Sequence, residues 1–157
     1  MKVFLKNFII FSVGFTIYQI IEGLFKNFMT IISNGSYLRS ESFLMGLIGG
    51  GALLLIGQLN KKFTWNIPIW IQSLIGGIGI LLFEFAVGLF MNKFFCPHYG
   101  ITLIWDYSSV PGNILGQICP QYFIIWIILA ALWILIDDYL RYKIYNEEKP
   151  HYYWWFH

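Results

Sequence analysis

Four apolar stretches separated by polar ones organise this chain. The first covers about residues 8–25, after Lys2 and Lys6. The second covers 42–59 and is rich in glycine, the third covers 67–92, and the fourth covers 118–140, crossing Trp126 and Trp133. Each approaches the roughly 20 apolar residues that a helix needs to span a bilayer. Between them lie a loop at 26–41 containing Asn34-Gly35-Ser36, a short turn at Asn60-Lys61-Lys62, and a stretch at 93–117. That last stretch is long for so small a chain. Pro68 and Pro120 suit the first turns of helices, and Pro150 stops any extension of the tail.

The expected architecture is all-α: a polytopic integral membrane protein, one domain over 1–157, built as a four-helix transmembrane bundle. The segment 93–117 between the third and fourth helices is either a plain external loop or a re-entrant one. The tail 141–157 is aromatic and expected at the cytoplasmic surface.

Composition agrees with that pattern. Of the 157 residues, 58% are hydrophobic and 11% charged, and mean hydropathy is +0.65. A water-soluble domain carries about 25% charged residues, so this chain lacks the polar surface that water requires. A net charge of +2 without a basic cluster excludes nucleic acid as a partner. Lys2, Lys6, Lys61, Lys62, Arg141, Lys143 and Lys149 fall on one side of the expected bundle, and Lys26, Arg39 and Lys93 on the other. The positive-inside rule then predicts both termini in the cytoplasm and the 93–117 loop outside. Gln19, Glu22 and Lys26 interrupt any cleavage site, so the first apolar stretch reads as an uncleaved helix rather than a signal peptide.

Small residues predict how the helices meet. Gly46, Gly50 and Gly57 share one face of the second helix, and Ser73, Gly77, Glu84 and Gly88 share one stripe of the third. Such faces permit close backbone approach in lipid. They suit tight packing of neighbouring helices within the chain first, and a homodimer seam through Gly46, Gly50, Gly57 and Gly77 could coexist with it. Trp65, Trp70, Trp105, Tyr107 and the tail His151–His157 are placed to anchor at the membrane interface. A weak internal echo aligns Gln19–Phe28 with Glu84–Phe94, superposing Gly23 on Gly88.

Candidate chemistry centres on Glu84, which stands among Ile80, Leu81, Leu82, Phe83, Phe85 and Val87. An acid at such a depth costs about 2.5–3.5 kcal/mol on insertion scales and should face the bundle interior. Two readings stay open: a hydrogen-bonded structural acid, or the site of a cation or polar ligand head. Gln19 and Glu22 on the first helix are further candidates, with Glu22 also able to pair with Lys26. In the long loop, Asp106, Ser108, Asn113 and Gln117 either brace the backbone or bind a polar ligand. Asp137 and Asp138 with Arg141 read as a solvated, self-paired helix end. Cys96 and Cys119 allow one disulfide or two free thiols, and adding His98 gives too few ligands for a metal site. No phosphate-binding loop, zinc-protease motif or nucleophile elbow occurs, so no catalytic residue and no cofactor is assigned.

The run Trp105-Asp106-Tyr107-Ser108-Ser109, with Pro111, Asn113 and then Gly116-Gln117-Ile118-Cys119, resembles the signature of a bacterial family labelled putative ABC-transporter type IV, or CmpB-like permease. Tyr18 with Glu22, Glu84, Asp137-Asp138-Tyr139-Leu140-Arg141-Tyr142 and Glu147–Tyr152 extend the resemblance over nearly the whole chain. The first loop departs from it, with Arg39-Ser40-Glu41-Ser42 in place of a Ser-His-like element. The label implies a permease subunit that works with a separate ATPase. The alternative is a membrane scaffold or accessory protein whose buried polar groups are structural.

Overall fold

The computed structural model describes residues 2–32, 42–59, 67–100 and 105–155. The expected features at Asn34–Ser36, Arg39–Glu41, Asn60–Lys62 and Trp65, and the side chain of Lys26, lie outside the described residues. Among the described residues there are four principal helices: α1 Lys2–Ile32, α2 Ser42–Ile56, α3 Ile69–Phe90 and α4 Phe123–Tyr145. No strand occurs among the described residues, only an isolated bridge between Ile114 and Ile118.

Both ends of α1 run beyond the apolar stretch that predicts it. Hydropathy marks where a helix enters lipid, and charged residues such as Lys6 extend a helix without breaking it. α2 stops at Ile56 instead of 59, where Gly57 and Gln58 turn. At 15 residues it spans about 22 Å, less than the roughly 30 Å hydrocarbon core. α3 passes into a π-turn at Met91–Phe95 and one further α-turn at Cys96–Tyr99, ending at Gly100 in the left-handed conformation. The segment from Lys93 to Tyr99 is therefore helical and not loop. In an unbroken α-helix the Pro97 ring would meet the Lys93 carbonyl, and the wider turn relieves that clash.

Among the described residues, three helical segments are long and apolar enough to cross a membrane: Val3–Phe25, Ile69–Tyr99 and Pro120–Tyr145. Their outer faces carry Phe8, Leu24, Leu82, Phe90, Ile124 and Ile128, all more than half exposed. So continuous an apolar surface is stable against lipid and not against water.

α1 packs along α2 and α3 along α4, with α2 also meeting α4. The glycines make these contacts close. A methyl on Gly46 would stand 2.7 Å from the Phe15 ring, one on Gly50 2.7 Å from Phe11, and one on Gly77 3.0 Å from Ile127. Gly57 lies against Asp137. All four glycines of the anticipated homodimer seam are thus occupied within the chain. A second copy would have to meet some other face. The superposed pair of the internal echo also differs, since Gly23 faces open space and Gly88 is tightly covered. The largest fully buried side chains include Trp133, Ile10, Leu53 and Ile134, which fill the centre where the helix pairs meet.

Candidate functional site

The interior stripe of α3 carries Ser73, Gly77, Glu84 and Gly88, and every one of them is buried. Glu84 is 5% exposed. The Tyr18 hydroxyl on α1 donates to its Oε1 at 3.0 Å, and the Trp126 indole on α4 donates to its Oε2 at 2.8 Å. One carboxyl thereby ties three helices together. Hydrogen bonds to a charged group contribute about 1.5–3 kcal/mol each, enough for two of them to offset the cost of placing an acid in lipid.

Beside this carboxyl lies a cavity of about 270 Å³. Small-molecule sites occupy about 300–1,000 Å³, so this one suits a small occupant. Its polar lining comes from Tyr18, Glu22 and Glu84, and rings of Phe25, Trp105 and Tyr107 complete much of the wall. Glu22 is itself buried, at 9% exposure. Two of the candidate residues, Glu22 and Glu84, are therefore brought to one cavity. Gln19, one turn from Glu22, is half-buried and is not among the cavity-lining residues.

The long loop covers the cavity with its aromatic residues and spends its polar ones on itself. Asp106 Oδ1 accepts from the Ser108 amide at 2.8 Å, and Asn113 Oδ1 accepts from the Gly116 amide at 2.8 Å. Asn113 Nδ2 donates to the Val110 carbonyl at 2.8 Å. Gly116 has a φ of 70°, and a methyl there would also lie 2.6 Å from Ser108 Oγ, so only glycine fits the turn. Gln117 is buried and accepts from Asn92 Nδ2 at 2.9 Å, while its carbonyl accepts from the Trp105 indole at 2.8 Å. Asp106, Ser108, Asn113 and Gln117 thus brace the loop, and none of them is among the cavity-lining residues.

Gly88 is the seat on which this loop rests. A methyl there would stand 2.6 Å from both Gln117 Oε1 and the Trp105 ring. Asn92, one turn further, donates to the Trp105 carbonyl at 2.9 Å. Sequence reading missed Asn92, although it continues the 84, 88, 92 spacing of the same helical face. Trp126 and Tyr18 were not singled out as partners of Glu84, because contacts between distant helices leave no local spacing to read. Cys96 and Cys119 are both buried free thiols, so the disulfide alternative is not formed. No group of His, Cys, Asp or Glu suited to a metal occurs among the described residues.

A second polar cluster lies at the end of the bundle that carries the termini. Arg141 Nε pairs with Asp137 Oδ2 at 2.5 Å, and the Tyr152 hydroxyl donates to Asp138 Oδ2 at 2.8 Å. Glu147 accepts from Lys6 at 3.3 Å and lies 3.7 Å from Arg141. Asp137, Asp138 and Arg141 are buried, which corrects their reading as a solvated helix end. The tail causes the difference. Asn146 turns it back at a φ of 51°, and it then bonds the start of α3, with the Ile69 amide donating to the Tyr153 carbonyl and the Trp70 indole to that of Trp154.

The profile of the family described as putative ABC-transporter type IV matches residues 13–156. That span takes in the Glu84 cavity, the loop that roofs it and the charged cluster under the tail. No solved structure matches the chain. By the extent of that match, the chain belongs to the putative ABC-transporter type IV family as a multi-pass, transporter-like membrane protein.

Proposed function

We propose that this protein is a membrane subunit that binds a small polar or cationic ligand in the cavity beside Glu84. The observation that carries the reading is the juxtaposition of two buried acids, Glu22 and Glu84, with an open volume of about 270 Å³. Each oxygen of Glu84 accepts one hydrogen bond and retains capacity for another. The family's description as an ABC transporter supports an ATPase partner as the source of energy. The distribution of Lys and Arg supports an orientation with both termini in the cytoplasm and the 93–117 segment outside. That partner would meet the end formed by Lys6, Arg141 and the folded-back tail.

A second reading is a scaffold whose polar groups are structural. It is favoured by the self-bonded loop and by the Tyr18 and Trp126 donors, which already satisfy the carboxyl. The two readings separate on Glu84→Gln. A metabolite panel that raises the melting temperature of the native protein but not of a normally recovered Glu84→Gln variant supports the ligand site. Equal responses in the two proteins support the scaffold.

A further inference from the structure

Two pairs of rings join α1 to α4 and the turn before it, and between these bridges the helices part. Toward the loop, Phe25 meets Tyr122 edge to face with ring centres 6.2 Å apart, and Tyr122 in turn lies 6.1 Å from Tyr107. Toward the termini, the Tyr18 ring lies 6.3 Å from that of Trp133. α1 otherwise meets α4 at few points. The gap between the bridges is the side of the Glu84 cavity. Ile21 and Phe25 line it from α1, and Ile125, Ile128 and Leu132 from one face of α4. Those three α4 residues are 42%, 56% and 41% exposed, so the same side chains belong to the cavity and to the outer surface. From Ile125 to Leu132 the helix rises about 10 Å, which sets the height of the opening. The cavity therefore has an apolar window at membrane depth, while the rings of Trp105, Tyr107 and Tyr122 stand on its loop side. Glu84 lines the same space, and each of its oxygens keeps capacity for a donor beyond Tyr18 and Trp126.

We infer that this window admits a ligand dissolved in the bilayer, a single-chain amphiphile whose head donates a hydrogen bond to Glu84. The inference rests on the ligand-site reading above and adds the route and class of the ligand. An alkyl chain leaving through the window runs along Ile125, Ile128 and Leu132 and continues into lipid, so that its apolar surface never meets water. A volume of about 270 Å³ lies below the range of drug-sized sites and suits one chain rather than two. The head follows from the carboxyl: both oxygens of Glu84 act as acceptors, and a further partner must bring the proton. A head that can only accept would leave both itself and the carboxyl unpaired in an apolar site.

The test uses the full chain in nanodiscs, photolabelled with decanol that carries a diazirine near the end of its chain. Modified residues are located by mass spectrometry, and Leu82 and Phe90 on the outer face of α3 report the background from bulk lipid. The expected result is saturable labelling between Ile125 and Leu132, suppressed at least tenfold by excess decanol. Decyl methyl ether, which accepts a hydrogen bond but cannot donate one, should not suppress it. Ile128→Trp fills the window and should remove the saturable part, while Ile128→Ala should keep it. Position 128 is lipid-facing, so both variants should fold. Equal suppression by the ether overturns the hydrogen bond to Glu84. Saturable labelling that persists in Ile128→Trp overturns the window. Absence of saturable labelling in the native protein overturns the amphiphile, and the ligand-site reading then stands or falls on Glu84→Gln with the metabolite panel.

Discussion

Glu84 and Asp137 are both buried acids on interior helix faces, 5% and 0% exposed, yet their surroundings leave different things open. Glu84 is held by two neutral donors, one from each flanking helix, and a cavity remains at its side. Asp137 is held by the Arg141 guanidinium, pressed against Gly57, and closed over by the returning tail. Charge paired with charge in close packing is how a protein stabilises an end of its bundle. An acid held by neutral groups beside empty volume keeps the ability to meet something else. Burial alone separates nothing here; the chemistry of the partners and the space beside them do.

Substitutions that break this contrast should differ in size. Arg141→Met leaves Asp137 buried without its cation, and breaking a buried pair costs about 3–5 kcal/mol. It should lower the unfolding free energy by that amount in a denaturant titration, and a loss below about 1 kcal/mol would show that the cluster is hydrated. Tyr152→Phe removes the donor to Asp138, worth about 1.5–3 kcal/mol. Burial, then the Asp138 hydrogen bond and charge, push the Tyr152 hydroxyl above its ordinary value of 10.0. Its stabilisation is therefore complete below about pH 10 and lost as pH rises past it, because the unfolded chain gives up the proton first. Stability measured against pH should show a weaker alkaline decline in Tyr152→Phe than in the native protein. An identical decline would assign it to other groups.

Gly88→Val should cost about 1–3 kcal/mol by overpacking against Trp105 and Gln117. Hydrogen exchange should rise across residues 105–119, and exchange unchanged there would mean the loop holds without this seat. The smallest effect belongs to Glu84→Gln, which keeps an acceptor for one of its two donors and should cost about 1 kcal/mol. A loss as large as that of Arg141→Met would make Glu84 a structural acid of the same kind as Asp137.

Much of the fold was legible because lipid makes hydropathy and small-residue spacing nearly decisive. The stripe Ser73, Gly77, Glu84 and Gly88 was read from spacing alone and is wholly interior. Helix ends were less legible, since α1 continues past Phe25 with no Gly or Pro to stop it and α3 passes Lys93 through a π-turn. For the site, Glu84 announced itself as an acid among aliphatic residues. Its partners Tyr18 and Trp126 lie 66 and 42 residues away in sequence, beyond any local pattern. The polar loop residues were legible as hydrogen-bonding groups, but their choice of the loop's own backbone depends on turns such as that at Gly116. The burial of Asp137 depends on a tail that reverses at Asn146, and no periodicity signals such a reversal.

The contrast between the two acids is tested most directly by a lipid-soluble carbodiimide, which modifies carboxyl groups that it can reach from the bilayer. Labelled protein from native membranes would be digested and the modified positions located by mass spectrometry. The account predicts modification at Glu84, with Asp137 unmodified until the protein is unfolded. An unmodified Glu84, or equal modification of Glu84 and Asp137 in the folded protein, would contradict it.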